Sequence, residues 1–257
     1  MHPLVRDPSR VVNLDGADNF RDLGGYPTSS GRDIARGVLY RSDGLQDLSD
    51  ADLAEIERRR ITTVIDLRHD REYSLRPSRL PASATRVSQC LMTPVDEAGK
   101  ATQVRQAARE SGDGHDMLRI MYTLMIEHSA QRFAAVIETI ADADNPVLFH
   151  CHGGKDRTGL VAAFVLDMLG VERDLVLDDY ALTSELRVAD ADAFRDLMDD
   201  GLSAAAAAGV LGAPRELMVD ILTGLDRDHG GVEGYLTSAG GLSVDTIDRL
   251  RRRLLNV

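Results

Sequence analysis

Apolar and polar positions follow two different rhythms along the chain, and the changes between them mark its elements. Pro146 opens a short apolar run, Val147-Leu148-Phe149-His150, which reads as a buried strand. Leu160 to Leu169 then carries apolar residues over a helical length and stops at Gly170. Further short strands are expected around Val11–Leu14, Val38–Arg41, Thr63–Leu67 and Thr85–Leu91. Helices are expected at Leu53–Arg60, at Asp116–Ile140 with a break near His128-Ser129, and at Thr158–Leu169. Ser49 followed by Asp52 forms a capping start for the first of these. Strands alternating with helices predict an α/β fold, a central, largely parallel sheet flanked by helices. The polar span Pro94–Gly114, with Gly99, Gly112 and Gly114, reads as a mobile loop. After Gly170 the pattern is helical to the end, in segments Val171–Leu182, Thr183–Asp200, Pro214–Leu225 and Ser243–Leu254, separated by Gly201, Gly212 and Gly230-Gly231. Residues 1–257 are thus expected to form a single domain with a helical C-terminal elaboration.

Composition narrows the function classes. A formal charge of -12 repels nucleic acid and argues against polybasic attachment to a membrane. Apolar stretches are too short for an integral membrane segment. The amino terminus lacks the apolar core of a signal peptide, so the default expectation is cytoplasmic, with export by an unconventional route left open. Between Arg58 and Arg86 the charge reverses, eight arginines against Asp66, Asp70 and Glu72, giving either a landing surface for a phosphorylated ligand or an ordinary solvated face. The histidines show no ligand spacing with cysteine or carboxylates, so no metal and no other cofactor is expected. Two cysteines, Cys90 and Cys151, do not suggest a disulfide framework. Cys90 reads as a strand residue, with a role as resolving thiol the alternative.

Candidate chemistry concentrates between the apolar strand and the apolar helix, in His150-Cys151-His152-Gly153-Gly154-Lys155-Asp156-Arg157-Thr158-Gly159. This glycine-rich turn ends at a helix N-terminus, where unpaired N–H groups and the helix dipole favour a tetrahedral dianion. A thiol in such a place has a pKa of about 3.5–7.5 instead of about 8.5, so Cys151 is expected to react as a thiolate nucleophile. Arg157 offers a planar fork matched to two phosphate oxygens, and Thr158 is placed to donate its hydroxyl toward the sulfur. His152, Gly153, Gly154 and Lys155 complete the expected phosphate-binding loop, although His152 can equally point to solvent. The only lysines are Lys100 and Lys155, which suggests that the latter serves chemistry.

The Cys-x5-Arg-Thr-Gly pattern resembles the signature loop of protein tyrosine phosphatases, and Gly-Lys-Asp-Arg-Thr-Gly resembles the atypical bacterial tyrosine phosphatases of the mycobacterial PtpB type. Asn19-Phe20-Arg21-Asp22-Leu23-Gly24-Gly25, Leu39-Tyr40-Arg41-Ser42 and Val64-Ile65-Asp66-Leu67-Arg68 look like the amino-terminal half of the same family, and Gly234-Tyr235-Leu236 like its tail. The resemblance implies a cysteine-dependent phosphatase acting on protein phosphotyrosine, with phosphoserine or phosphothreonine as further substrates. Lysine at position 155 implies phosphoinositides as well. It also implies that His150 orients the loop and that residues 184–213 form a helical lid, an ordinary packed helix being the alternative.

The proton donor stays open at this level. A general acid is usually an aspartic acid within hydrogen-bond reach of the leaving oxygen. Asp156 sits inside the loop and would face the anion, whereas Asp66 ends a buried strand at the sheet edge where α/β sites assemble. The resemblance implies a role for both positions, an ion pair of Asp66 with Arg68 or Arg71 is the competing reading, and Asp96 is an outsider. Two other classes also stand: a rhodanese-like sulfurtransferase and a non-catalytic phosphate-binding module. The partner is then a phosphorylated protein or peptide, or a phosphoinositide.

Overall fold

The run Val147–His150 is the central strand of the fold, fully buried along its length. The computed structural model describes residues 1–91, 110, 114–187 and 191–256. Among these, five strands make one sheet: β1 (Arg21–Asp22), β2 (Leu39–Ser42), β3 (Thr63–Asp66), β4 (Thr85–Ser88) and β5 (Val147–His150), in the order β1-β2-β5-β3-β4. All pairings are parallel except β1 with β2. The helices are α1 (Asp50–Arg58), α2 (Asp70–Leu75), α3 (His115–Asp142), α4 (Asp156–Met168), α5 (Arg173–Leu186), α6 (Ala191–Asp199), α7 (Ala204–Leu211), α8 (Arg215–His229), α9 (Val232–Ser238) and α10 (Val244–Leu254). Among the described residues, no helix is long and apolar enough to cross a membrane.

Side chains alternate across the sheet and feed two cores. Val147 and Phe149 join Ile65, Val136, Ile137, Leu160 and Phe164 on the face covered by the larger set of helices. Leu148 joins Val64, Tyr40, Phe20 and the α1 residue Ile56 on the other. Each such side chain contributes roughly 1.5–3 kcal/mol when fully buried, so β5 is anchored from both sides. Its carboxyl end, where the loop begins, inherits that rigidity.

Several expected elements shift. Val11–Leu14 forms only a single bridge, Val11 to Arg21. Asp52, the N3 residue of α1, accepts hydrogen bonds from the Asp15 and Gly16 amides at 2.9 and 3.0 Å, so those donors turn toward a helix start rather than a strand. The same carboxylate closes the capping box with Ser49 that the sequence predicted. In α3 the expected break falls at Ser129, which has φ -123° and ψ 15°, and whose hydroxyl donates to the Leu91 carbonyl at 2.6 Å. Where a boundary at 182/183 was expected, α5 runs on to Leu186. Short helices α2 and α9 were not anticipated. Most of the Pro94–Gly114 span, Asp96 included, lies outside the described residues.

Candidate active site

Parallel pairing of β5 with β2 and β3 brings three strand ends to one edge, and the loop 151–155 rises there into α4. Cys151 is 2% exposed. Gly154 has φ +60°, and a Cβ there would stand 2.6 Å from the Ser42 carbonyl oxygen, so the loop presses against the end of β2 in a conformation reserved for glycine. The Gly154 carbonyl accepts hydrogen bonds from Asn19 Nδ2 at 3.0 Å and Arg41 Nη2 at 2.8 Å, and the Gly44 amide donates to the His152 carbonyl at 2.8 Å. Outward-turned carbonyls leave the loop amides to face the opposite way, the arrangement an anion needs.

The motifs quoted from the amino-terminal half supply this brace. Arg10, Arg21 and Arg41 converge on Asp179 of α5 at 3.2, 3.2 and 2.7 Å, with the Tyr26 hydroxyl donating at 3.1 Å. Burial alone would push this carboxyl upward, but the guanidinium groups of Arg21, Arg41 and Arg10 outweigh it and hold the carboxyl well below the usual range. Burial, together with its neighbour Arg21, brings Arg41 down to about 10. Asp179 thus ties α5 to the strand that supports the loop.

Arg157 is held by a residue not singled out in the sequence. Its Nη1 and Nη2 donate to the two carboxylate oxygens of Glu72 at 2.6 and 2.8 Å. This pair occupies one edge of the fork and leaves Nε and the outer protons for a ligand. Burial works against the guanidinium charge, yet Glu72 raises the pKa well above its ordinary value, with the nearby Cys151 adding in the same sense. Glu72 is N3 of α2 and accepts from the His69 amide at 2.8 Å, so a capping box fixes the carboxylate that fixes the arginine.

The two candidate acids occupy different environments. Asp66 is completely buried. Its Oδ1 accepts from Arg68 Nε at 2.9 Å, and its Oδ2 from Arg68 Nη2 and Arg86 Nε at 2.9 and 2.8 Å. Burial would raise its pKa, but Arg68, with His150 and Arg86, lowers it far below the usual range. Both oxygens are spent on cations, so the ion pair weighed against catalysis is the arrangement found, with Arg86 in place of Arg71. Asp156 is at the first turn of α4, its side chain 28% exposed. Its Oδ1 accepts from the Tyr122 hydroxyl at 2.9 Å and lies 3.3 Å from Lys155 Nζ.

The remaining loop residues divide. His150 is fully buried, its Nδ1 3.0 Å from the Cys151 carbonyl and its Nε2 3.5 Å from Ser78 Oγ, and burial lowers it to about 4. Thr158 is buried too, with no hydrogen-bond partner for Oγ1 among the described residues. His152 points outward beside Arg187, Arg76 and Asp43 in a cleft of about 340 Å³. Gly153 lies under Arg187, whose Nη1 would be 3.0 Å from a Cβ placed there. Lys155 is 4% exposed, and its Nζ donates to the Val210 carbonyl in the last turn of α7 at 2.5 Å. Instead of reaching into the loop, this ammonium caps a helix C-terminus. Six of the eight arginines in the basic run are in ion pairs, with Glu55, Asp66, Asp47 or Asp50, so the run is a paired face rather than an open landing surface.

Glu72, Asp179, Tyr122 and Arg187 were missed. Glu72 alone carried a signal, as an acid in a basic run three residues after a capping histidine.

A family model described as the tyrosine phosphatase family matches residues 12–256. The chain is 31% identical to the triple specificity protein phosphatase PtpB of Mycobacterium tuberculosis, over 95% of this chain and 99% of that one. It is 30% identical to a putative tyrosine-protein phosphatase of Cupriavidus necator, over 90% of this chain and 84% of the other. Among solved structures, P. aeruginosa TpbA in complex with pTyr aligns over 84% of this chain and 98% of that one, with 21% identity and a TM-score of 0.34.

Proposed function

The chain belongs to the tyrosine phosphatase family, and from that premise we propose that it hydrolyses phosphotyrosine in proteins through a phosphocysteine intermediate, with Asp156 as general acid. The observation that carries the assignment is the phosphate loop itself: a buried thiol at the end of the central strand, a fork held in place by Glu72, and a glycine pinned against β2.

In the first step Cys151 Sγ attacks phosphorus while the ester P–O bond breaks, and the leaving tyrosine oxygen takes the proton of the Asp156 carboxyl. Arg157 and the loop amides bind the equatorial oxygens as charge gathers there. In the second step a water attacks phosphorus, the Asp156 carboxylate takes its proton, and the P–S bond breaks to return the thiolate. Thr158 donates to that sulfur its hydroxyl, which has no partner among the described residues. Asp156 is favoured over Asp66 because one carboxylate is partly open beside the loop and the other is enclosed by two guanidinium groups. Nothing in this arrangement favours sulfur transfer or binding without turnover.

The relative named as triple specificity supports a wider range, and we extend the proposal to phosphoserine, phosphothreonine and phosphoinositides. Helices α6 and α7 act as a lid over the loop. Leu202, Ala206, Ala207 and Val210 form a small apolar cluster of their own with Met117, Phe194 and Leu197, so these helices can move without opening the main core.

The test is phosphate release from p-nitrophenyl phosphate, a phosphotyrosine peptide, a phosphoserine peptide and a phosphoinositide panel under chelator, with wild type, Cys151→Ser, Asp156→Asn and Asp66→Asn. Turnover abolished by Cys151→Ser is expected, with phosphotyrosine preferred. A folded, reduced protein inactive on every substrate would overturn the reading.

A further inference from the structure

Three helices meet behind the loop, and the hydroxyls they bring there form a chain that ends on the proposed acid. Tyr122 of α3 is fully buried and Tyr180 of α5 is 1% exposed. Their hydroxyl oxygens are 2.9 Å apart, and Tyr122 donates onward to Asp156 Oδ1 at 2.9 Å. A phenol has one proton to give. Since the proton of Tyr122 is directed at the carboxylate, Tyr180 is the donor to Tyr122, and the order is Tyr180 to Tyr122 to Asp156. The rings pack edge to face at 6.4 Å and 83°. Tyr180 fits only because residue 159 is glycine, where a Cβ would stand 2.9 Å from the ring carbon Cδ2.

We propose that Tyr122 and Tyr180 are positioning residues for the general acid, fixing the Asp156 carboxyl so that Oδ2 carries the proton given to the leaving group. This rests on the assignment of Asp156 as that acid. The decisive detail is which oxygen is occupied. The Tyr122 hydroxyl and the Lys155 ammonium both converge on Oδ1. In a carboxylic acid the carbonyl oxygen is the better acceptor, so an oxygen facing two donors is the carbonyl and the proton resides on the other. The same contacts hold after transfer, when the carboxylate must keep its orientation to take a proton from water.

Tyr122 cannot replace Asp156 as the acid. Burial, reinforced by the charge of Asp156, raises its hydroxyl well above the ordinary phenol range, and burial raises Tyr180 likewise. Both stay protonated and act as fixed donors. A purely structural role would affect all substrates alike, whereas a role in aiming a proton affects a substrate in proportion to how much its leaving group needs one.

The experiment uses that difference. Values of kcat/KM, which report the chemistry up to release of the leaving group, are measured for wild type, Tyr122→Phe, Tyr180→Phe and Asp156→Asn with a series running from p-nitrophenyl phosphate to phenyl phosphate and a phosphotyrosine peptide. Asp156→Asn should lose about 10²–10⁴-fold on the poor leaving groups and much less on p-nitrophenyl phosphate. Tyr122→Phe should lose about 10-fold on phenyl phosphate and phosphotyrosine against about 2-fold on p-nitrophenyl phosphate, a modest misorientation of one catalytic group. Tyr180→Phe should fall between Tyr122→Phe and wild type. A uniform loss across the series, or none, in the tyrosine variants overturns the proposal while Asp156→Asn still steepens the dependence. If Asp156→Asn leaves it unchanged, the assignment of the acid itself fails. Should Tyr122→Phe not fold, Tyr180→Phe and Gly159→Ala, which crowds the Tyr180 ring, carry the same comparison.

Discussion

Glu72→Ala removes two hydrogen bonds, of 2.6 and 2.8 Å, that hold one edge of Arg157. The Glu72 side chain is 35% exposed and that of Arg157 14%, so water replaces part of the pairing and no fully buried charge is stranded. Arg157 remains a cation, because an arginine does not lose its proton in this setting. What is lost is order. Immobilising a rotamer-rich side chain costs about 0.5–1.5 kcal/mol, and without Glu72 that cost falls on the step in which Arg157 closes on the phosphoryl group. Converted at about 1.36 kcal/mol per tenfold, it gives a fall in kcat/KM of roughly 2- to 13-fold. Glu72→Ala also breaks the capping box of α2, worth about 0.5–2 kcal/mol of stability. Glu72→Gln, which keeps the shape of the cap, should retain more of both. The assay is steady-state turnover of a phosphotyrosine peptide beside urea unfolding of each variant. A loss above about 100-fold in folded protein would mean that Glu72 touches the chemistry, and a gain in turnover would mean that it competes with the phosphate for Arg157; either refutes the positioning argument.

Two further outcomes follow from buried groups. His150 is held down to about 4 in the folded chain against about 6.5 unfolded, so between those values the unfolded state binds more protons and stability rises with pH. Urea unfolding should therefore show up to about 3 kcal/mol lost as pH falls from 6.5 to 4, with the depressed carboxyls of Asp66 and Asp179 adding a further loss at still lower pH. His150→Asn should flatten the slope between pH 6.5 and 4.5, and an unchanged slope would place its origin elsewhere. Lys155→Met removes the charged donor from the Val210 carbonyl, an interaction of about 1.5–3 kcal/mol, so amides of α7 should exchange with deuterium roughly 10- to 100-fold faster. Unchanged exchange would show that the apolar cluster alone seats α7.

Local preferences were legible in the chain. The buried strand at 147–150, the capping box at Ser49, the break in α3 at Ser129, the helix after the loop and the glycine turn at 230–231 each depend on neighbours a few residues away. The turn at 151–155 was legible for the same reason, since a strand end, a glycine-rich turn and a helix start are consecutive. Adjacent residues could not say which carboxylate is open to carry a proton. Asp156 was only slightly favoured over Asp66 as a letter, and the difference lies in Arg86, 20 residues from Asp66, and Tyr122, 34 residues from Asp156. Likewise the partner of Arg157 is 85 residues distant, and Lys155 was diverted from the loop by a carbonyl 55 residues on. That a thiol and a guanidinium would share a helix N-terminus followed from the chain alone, because backbone geometry over seven residues requires it. How that pair is braced, and which carboxyl is enclosed and which is partly open, came from the closed fold, because burial and charge pairing are set by groups that meet only when the sheet and its helices close around them.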